Sequence, residues 1–584
     1  MKKANRILAL ALAGTMVCLA ACSGGSGDSP AASQGSSQAA GGTTQEAGAS
    51  SDGNKEGEAA SQGTDEVMKV SMMVATKATQ GDWADYWAIK EIARQCGVLF
   101  EVDQVTEDAW SEKKNLAFAS GDLPQVFLNN LTDTELATYG SQGLILPLED
   151  YITKENMPHF FEVIEQEEYA DLLPSLYFPD GHIYAIKGIN GAQREYAKNR
   201  FFINAAWAKK LGFEKLLENL DEFYEFLCAV RDNDANENGD PGDEIPLGGS
   251  YYEDGRDYYD AFIPILTAFG YVSRTYEVDD SGRVIYVPVE EHYKDFLKYM
   301  NKLYEEKLLD QEYFTQTADQ RKAKQASNLC GAFTDYASYL NIPDADIFMQ
   351  FRGMKPMTSE FNDVQMWPSK DLVYDGAMVL TNKVTDEEMI KKLISLIDWC
   401  FSEEGTLTTM VGPRIGQDPE YPEYGWEVVE TAFGTEQRKW TYDESAFESS
   451  NLYVDFHCTP GDNYFPFANT ADRTLKTTIS EEVYENPETA KSLRLTYDIM
   501  NNLYDYLKVD WPTTTKFTSE EADELSLIET DLNSYKQTME SKMIIGDLDI
   551  DATWDEYVAG IRSRGLERYL EILQQAYDRW ASNK

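Results

Sequence analysis

Strand-like and helix-like segments alternate between residues 69 and 128, and this alternation constrains the fold more than any other feature. The strand-like runs are residues 69–75 (KVSMMVA), 99–105 and 125–128, and the helix-like segments between them are residues 85–95 and 107–119. A β-α-β-α-β order predicts a parallel sheet with right-handed crossovers. Ligands of such sheets collect beyond the carboxyl ends of the strands, which here are Lys77 and the pair Asn129 and Asn130.

A second α/β section follows the first, so the 584 residues are expected to form at least two domains. Its predicted strands are residues 201–203, 276–278, 283–287 and 371–380, and its predicted helices are residues 204–211, 220–232, 290–307 and 391–401. Apolar residues between positions 566 and 580 mark one face of a last amphipathic helix.

The N-terminal region predicts export from the cytoplasm. Lys2, Lys3 and Arg6 precede an apolar stretch, residues 7–21, that is too short to span a bilayer as a stable helix, so residues 1–21 are interpreted as a signal peptide. Residues 23–66 contain no Val, Ile, Leu, Met or aromatic residue, and such a segment cannot bury enough surface to fold. Residues 22–66 are therefore predicted to be a disordered tether.

Charge and motifs exclude several classes of function. The formal net charge is −50, spread along the chain, which disfavours binding to nucleic acid or to anionic lipid surfaces. The sequence contains no GK dipeptide and no GxGxxG, GxSxG or HExxH motif. Carboxylate pairs are too abundant in so acidic a chain for any one of them to indicate a glycosidase.

The seven cysteines do not form a disulfide framework. Cys18 lies in the predicted signal peptide, and Cys22 is the first residue after that peptide. The other five are widely spaced and include no CxxC pair, so we expect most of them to be buried as small apolar residues. One disulfide among the five is left open.

The segment from Leu19 to Cys22 resembles the lipobox of bacterial lipoproteins. That resemblance implies that Cys22 carries a lipid and anchors the mature protein to the outer face of the cell membrane. An ordinary secretory signal that happens to contain a cysteine is the alternative.

Several strings resemble, in their order, the extracellular solute-binding lipoproteins of bacterial ABC importers, and especially the subgroup with alginate-oligosaccharide binders. They are "ASGDLPQVF" (119–127), "PDGHIYAI" (179–186), "FINAAWAKKLG" (202–212), "LYEEKLLD" (303–310), "SEEGTLTTMVG" (402–412) and "GLERYLEILQQAYDRW" (565–580). The resemblance implies a two-lobed α/β periplasmic-binding-protein-like (type II) fold with a ligand cleft between the lobes. We expect lobe 1 to comprise residues 67–196 and 369–440, and lobe 2 to comprise residues 197–368 and 441–584.

The same resemblance implies a function without catalysis. A tethered monomer would capture an oligosaccharide or similar polar solute and deliver it to ABC permease subunits. A binding protein that feeds a membrane sensor is one alternative, and a surface carbohydrate-active enzyme is another. The strong negative charge favours neutral over anionic glycans as ligands. If the ligand is anionic, Lys77, Arg194 and Arg414 are the candidate cationic contacts.

The stretch "DNDANENGDPGDEIP" (232–246) resembles the calcium loop of the alginate-binding relatives. The resemblance implies a structural Ca²⁺, which takes six to eight hard oxygen ligands. The expected ligands are Asp234, Asn236, Asn238, the Asp240 carbonyl, Asp243 and Glu244. One residue is inserted between Gly239 and Asp243 relative to that pattern, and a solvated acidic loop is the alternative.

Candidate ligand contacts are side chains that follow predicted strands, because sugars stack on aromatic rings and bind planar polar groups. These candidates are Lys77, Trp83, Asn129, Asn130, Tyr336, Trp367, Arg414 and Trp426. Packing in the core is the alternative for the aromatic residues, and capping of the loop is the alternative for the two asparagines.

Overall fold

A computed structural model of the chain describes residues 67–77, 80–197, 199–251, 259–370, 372–430, 436–447, 449–461, 464–470, 473, 475, 484 and 493–582. The predicted signal peptide, the predicted lipid attachment at Cys22 and the predicted tether lie outside these residues. Within them, no helix is both long and apolar enough to cross a membrane.

The strands, in chain order, are β1 Met68–Thr76, β2 Val98–Thr106, β3 Val126–Leu128, β4 Lys187–Asn190, β5 Arg200–Asn204, β6 Ile245–Leu247, β7 Tyr276–Val278, β8 Val284–Tyr286, β9 Cys330–Asp335, β10 Phe351–Gly353, β11 Trp367–Pro368, β12 Val373–Leu380, β13 Gly425–Glu430, β14 Glu436–Thr441, β15 Ala468–Asn469 and β16 Leu507–Lys508. The helices are α1 Trp87–Cys96, α2 Glu107–Ser120, α3 Asp133–Ser141, α4 Pro158–Ile164, α5 Leu172–Leu176, α6 Ala205–Lys210, α7 Leu220–Arg231, α8 Phe262–Leu266, α9 Glu291–Glu305, α10 Ala318–Ala326, α11 Ala345–Phe348, α12 Glu387–Cys400, α13 Glu403–Met410, α14 Ser450–Tyr453, α15 Ser519–Ile544, α16 Ile550–Ser563 and α17 Leu566–Ser582.

The first sheet has six strands in the order β15-β4-β12-β3-β1-β2. Strand β1 pairs in parallel with both β2 and β3, as the alternating sequence pattern predicts, whereas β12 runs antiparallel to β3 and β4. Both faces of the sheet are buried at the inner strand β3, because Val126 and Leu128 pack into one core cluster while Phe127 packs into another. Burial on both faces explains why β3 is a continuous apolar run, whereas the edge strand β2 alternates buried and exposed residues.

The second sheet has the order β10-β5-β9-β6. Strand β5 is antiparallel to β9 and β10, and β6 is parallel to β9. Phe201 and Ile203 of β5 pack into the largest core cluster, whereas Phe202 packs on the opposite face. Helices α7, α9 and α15 to α17 contribute to that largest core, so the C-terminal helices belong with the second sheet.

The chain passes between the two sheets more than once. It leaves the first sheet after Asn190, enters the second at Arg200, and returns to the first at Val373. Strand β11 pairs in parallel with β16, Trp367 opposite Leu507, so a third segment runs beside the returning chain.

The structure corrects one part of the expected lobe division. Ala468 of β15 pairs with Ile189 of β4, so β15 extends the first sheet although it lies within the expected lobe 2 range of residues 441–584. Thr406 of α13 fixes this strand, since its hydroxyl accepts a hydrogen bond from the Ala468 amide at 3.1 Å. The other expected boundaries stay a prediction.

The described cysteines Cys96, Cys228, Cys330, Cys400 and Cys458 are all free thiols. Cys330, Cys400 and Cys458 are buried, and burial raises the pKa of the Cys330 and Cys458 thiols to about 12. The disulfide that the sequence left open is therefore absent among these described residues.

Asp133 links the first sheet to the third crossing segment. Its carboxylate lies 3.1 Å from Lys187 of β4 and 2.5 Å from Lys516, which precedes α15. Burial acts to raise the pKa of Asp133, but Lys516 and Lys187 outweigh it and lower this pKa from 3.8 to about 2. The ionised carboxylate thus stabilises the folded state.

We expect Asp133→Asn to lower the free energy of unfolding at pH 7 by about 2 kcal/mol, the equivalent of the pKa shift. Because the pKa is depressed in the folded state, this contribution is present above pH about 4 and is lost as the pH falls towards about 2. Urea unfolding at pH 7 and pH 3 measures the difference, with the exposed Asp103→Asn as control. An Asp133→Asn effect of the same size at both values would contradict this account.

Candidate functional site

The carboxyl ends of the first sheet carry polar side chains. The backbone after β1 is held by Gln80, whose side-chain oxygen accepts from the Lys77 amide at 2.9 Å, and Lys77 itself is exposed. Asn129 and Asn130 follow β3 with φ values of 58° and 60°. Consecutive left-handed residues other than glycine are uncommon, and such strained backbone is frequent at ligand sites.

The carboxyl end of the second sheet meets the first crossing segment at Glu195. The hydroxyl of Tyr336, which follows β9, donates to the Glu195 carboxylate at 2.7 Å, and Lys370 of the returning crossing donates to it at 3.0 Å. Burial acts to raise the pKa of Glu195, but Lys370, Tyr336 and Arg194 hold it below its usual value. One ionised carboxylate therefore joins three separate segments of the chain.

Arg200 contacts both the backbone carbonyl and the ring of Tyr336. Its guanidinium donates to the Tyr336 carbonyl at 3.0 Å and lies 4.6 Å from the centroid of the Tyr336 ring, and Arg200 is 1% exposed. Position in the sequence indicates Tyr336 as a candidate but not Glu195, Lys370 or Arg200. The sequence gives no signal for this cluster, because its members come together only when the crossings do.

Three of the predicted stacking rings are buried. Trp83, Trp367 and Trp426 are 0%, 1% and 2% exposed. The Trp367 and Trp426 indoles donate to the carbonyls of Asn199 and Gly412, and Trp83 packs edge-on against Tyr464. None of these three rings presents an open face in this structure, so they serve as packing rather than as surfaces for a sugar.

A separate groove of about 810 Å³ lies on the side of the crossings that carries Tyr196, and Lys370 of the Glu195 junction also lines it. Its lining includes Tyr177, Tyr196, Tyr504 and Trp511 together with Lys508. This groove contains none of the predicted ligand residues, and aromatic and charged groups line it together. It is thus a second surface on which a sugar could stack.

The acidic loop after α7 folds around its own carboxylates. Glu244 accepts from the Ala235 amide at 2.7 Å, and Asp243 accepts from the Asn238 side-chain amide at 2.7 Å. One carboxylate oxygen of Asp234 and one of Glu244 are buried without a hydrogen-bond partner among the described residues. Within those residues no group of three or more His, Cys, Asp or Glu is arranged to hold a metal ion.

Comparisons with known proteins agree with this architecture. No known protein-family model matches the chain. The fructooligosaccharide ABC transporter substrate-binding protein FusA of Streptococcus pneumoniae serotype 4 is 24% identical over 531 residues, which are 85% of this chain and 87% of FusA. The lipoprotein LipO of Bacillus subtilis strain 168 is 23% identical over 235 residues, which are 39% of this chain and 42% of LipO.

Solved structures share the fold. S. pneumoniae FusA in complex with kestose has a TM-score of 0.70 at 22% identity, covering 88% of this chain and 100% of that one. An HMO-binding solute-binding protein of Bifidobacterium longum infantis has a TM-score of 0.71 at 20% identity, covering 88% and 99%. The alginate-binding protein AlgQ2 without calcium ion has a TM-score of 0.62 at 22% identity, covering 88% and 99%.

The sequence-based resemblance and the expected fold class are confirmed by these comparisons. Over most of its length the chain is similar to the substrate-binding proteins of ABC transporters, and it has their two-lobed α/β fold.

Proposed function

We propose that this chain captures an extracellular oligosaccharide between its two sheets and delivers it to an ABC permease. The observation that carries the proposal is the junction at Glu195, where the carboxyl end of the second sheet meets the crossing that leaves the first. A ligand at this junction would contact both lobes, and hinge motion at the crossings would close the lobes over it. The chain carries out no chemical step in this proposal.

The ligand contacts in this proposal are Lys77, Asn129, Asn130 and Tyr336. All four follow strands at carboxyl ends, where open α/β sheets bind their ligands. FusA with kestose and the HMO-binding protein are oligosaccharide binders by their descriptions, which supports the ligand class.

The proposed location is the outer face of the cell membrane. The lipobox-like sequence ending at Cys22 would supply the anchor, and residues 22–66 would supply the tether. LipO, a lipoprotein, is similar to part of this chain and supports the proposal.

The test of ligand binding is thermal unfolding of the protein with a panel of neutral and acidic oligosaccharides. A ligand at 100 times its Kd is expected to stabilise the fold by about 2.7 kcal/mol. Tyr336→Ala is expected to lower the affinity at least tenfold, whereas Tyr177→Ala, which alters the separate groove, is expected to leave it unchanged. The recovered sugar should be intact.

Two outcomes would contradict the proposal. If no oligosaccharide shifts the melting temperature, or if the sugar is cleaved, the chain is not an oligosaccharide-binding protein of this kind. If Tyr177→Ala removes binding and Tyr336→Ala does not, the ligand binds in the separate groove.

The proposed function includes a structural Ca²⁺ in the loop between α7 and β6. Its ligands would be Asp234, Asn236, Asn238, the Asp240 carbonyl, Asp243 and Glu244. The unpaired buried oxygens of Asp234 and Glu244 fit a bound cation, since a buried carboxylate oxygen without a partner is costly. An EF-hand mutant of FusA is among the similar structures, with a TM-score of 0.69 at 22% identity, which supports a cation loop in relatives.

We expect a chelator to lower the melting temperature of the protein and added calcium to restore it. Glu244→Gln is expected to abolish this response, because it replaces a charged oxygen ligand by an amide. Asp240→Asn is the matched control, since only the backbone carbonyl of Asp240 is a proposed ligand. A response that survives Glu244→Gln, or that Asp240→Asn abolishes, would contradict the assignment.

A further inference from the structure

The hairpin of β13 and β14 presents an arginine beside a buried tryptophan. Arg438 pairs with Val428, and Trp426 pairs with Trp440, so Arg438 and Trp426 lie on one face of the hairpin. The Arg438 guanidinium lies 5.2 Å from the centroid of the Trp426 ring. The hairpin therefore fixes where this cation lies.

A second arginine rests on the same indole. Arg414 forms a backbone bridge with Trp426, and its guanidinium lies 4.7 Å from the centroid of the Trp426 ring. Trp426 is anchored in turn, because its indole donates to the Gly412 carbonyl at 2.8 Å. Attraction to the ring offsets part of the repulsion between the two cations. Trp426 is thus a support for Arg414 and Arg438.

The two cations lack an acidic partner among the residues that the structure describes. Among the described residues, neither Arg414 nor Arg438 forms an ion pair, although the chain has 101 Asp and Glu against 51 Lys and Arg. The Nε of Arg438 is buried and has no hydrogen-bond partner among the same residues. Burial, together with Arg194 and Arg414, lowers the pKa of Arg438 to about 10. Arg438 is thus a partly buried cation without a compensating anion among the described residues.

Arg194 relates this pair of cations to the proposed cleft. Arg194 interacts electrostatically with Arg438, and it lies on the first crossing directly before Glu195, 3.4 Å from that carboxylate. Arg438 therefore lies within electrostatic range of Arg194 on the crossing at which Tyr336 meets Glu195.

We propose that Arg414 and Arg438, with Arg194 beside them, bind an anionic group of the captured solute, so that the oligosaccharide is acidic. The recognised group is a carboxylate or a sulfate, both of which guanidinium groups bind through charge-assisted hydrogen bonds. This inference rests on the proposed function and names its substrate class. It reverses the sequence-based preference for neutral glycans, because the repulsion of a distant negative charge is screened beyond about 8 Å whereas a contact is not.

Calorimetric titration at constant ionic strength tests the inference with matched sugars. The pairs are trigalacturonate against galactotriose, and 3′-sialyllactose and 3′-sulfolactose each against lactose. At least one acidic sugar is expected to bind at least tenfold more tightly than its neutral counterpart. The carboxylate and sulfate members of the panel then identify which anionic group is recognised.

Arg438→Gln and Arg414→Gln are each expected to lower the affinity for the acidic sugar at least tenfold and to leave the affinity for the neutral sugar unchanged. Lys439→Gln removes the same charge from the opposite face of β14 and is expected to have no effect. Because no described acidic group compensates the partly buried Arg438, Arg438→Gln should not lower the melting temperature of the ligand-free protein.

The outcomes separate this inference from the proposed function. If a neutral sugar binds as tightly as its acidic counterpart, or if acidic-sugar affinity survives both arginine variants, the inference is overturned and the proposed function stands. If no sugar of either kind binds here or in the wider panel, the proposed function fails and the inference fails with it.

Discussion

The geometry of the candidate site depends on the hydrogen bonds that the Glu195 carboxylate accepts. This carboxylate accepts from Tyr336 at the carboxyl end of the second sheet and from Lys370 on the returning crossing. Glu195 itself lies on the first crossing, so both crossings and the second sheet meet at one charged group. A buried carboxylate needs such partners to remain ionised, and the same partners fix the segments that carry them. Tyr336, one of the proposed ligand contacts, is thereby held by a hydrogen bond to an ionised carboxylate.

The distribution of charge gives the molecule two different electrostatic properties. The net charge of −50 acts over the whole surface and favours solubility. The cations on the face of the β13–β14 hairpin act locally, where Arg414 and Arg438 share one indole and have no acidic partner among the described residues. Local contacts dominate binding energy at physiological ionic strength because screening weakens the distant charges. A strongly acidic protein can therefore bind an acidic sugar.

Much of the first sheet could be predicted from sequence, and little of the site could. Strand β3 is a continuous apolar run because both its faces are buried, while β1 and β2 place buried residues largely at alternate positions, and both patterns are visible in a single sequence. Strand β15 has two residues and joins the sheet through a partner far away in the chain, so no local pattern marks it. Glu195 and Lys370 are likewise distant in sequence and meet only in the fold.

The aromatic residues show a second limit of sequence reasoning. The positions of Trp83, Trp367 and Trp426 after predicted strands fit a stacking role, yet all three rings are buried. Whether a tryptophan faces a cleft or the core depends on the packing of neighbouring elements, and sequence position does not record it. The acidic loop was easier to recognise, because its oxygen-bearing side chains recur at alternate positions over a short range.

The central claim is that the two lobes close around an oligosaccharide without altering it. Small-angle X-ray scattering of the protein, with and without the tightest-binding sugar of the panel, tests this claim most directly. The account predicts a smaller radius of gyration in the presence of sugar, with the sugar recovered intact afterwards. An unchanged radius of gyration at saturating sugar, or recovery of cleaved sugar, would contradict it.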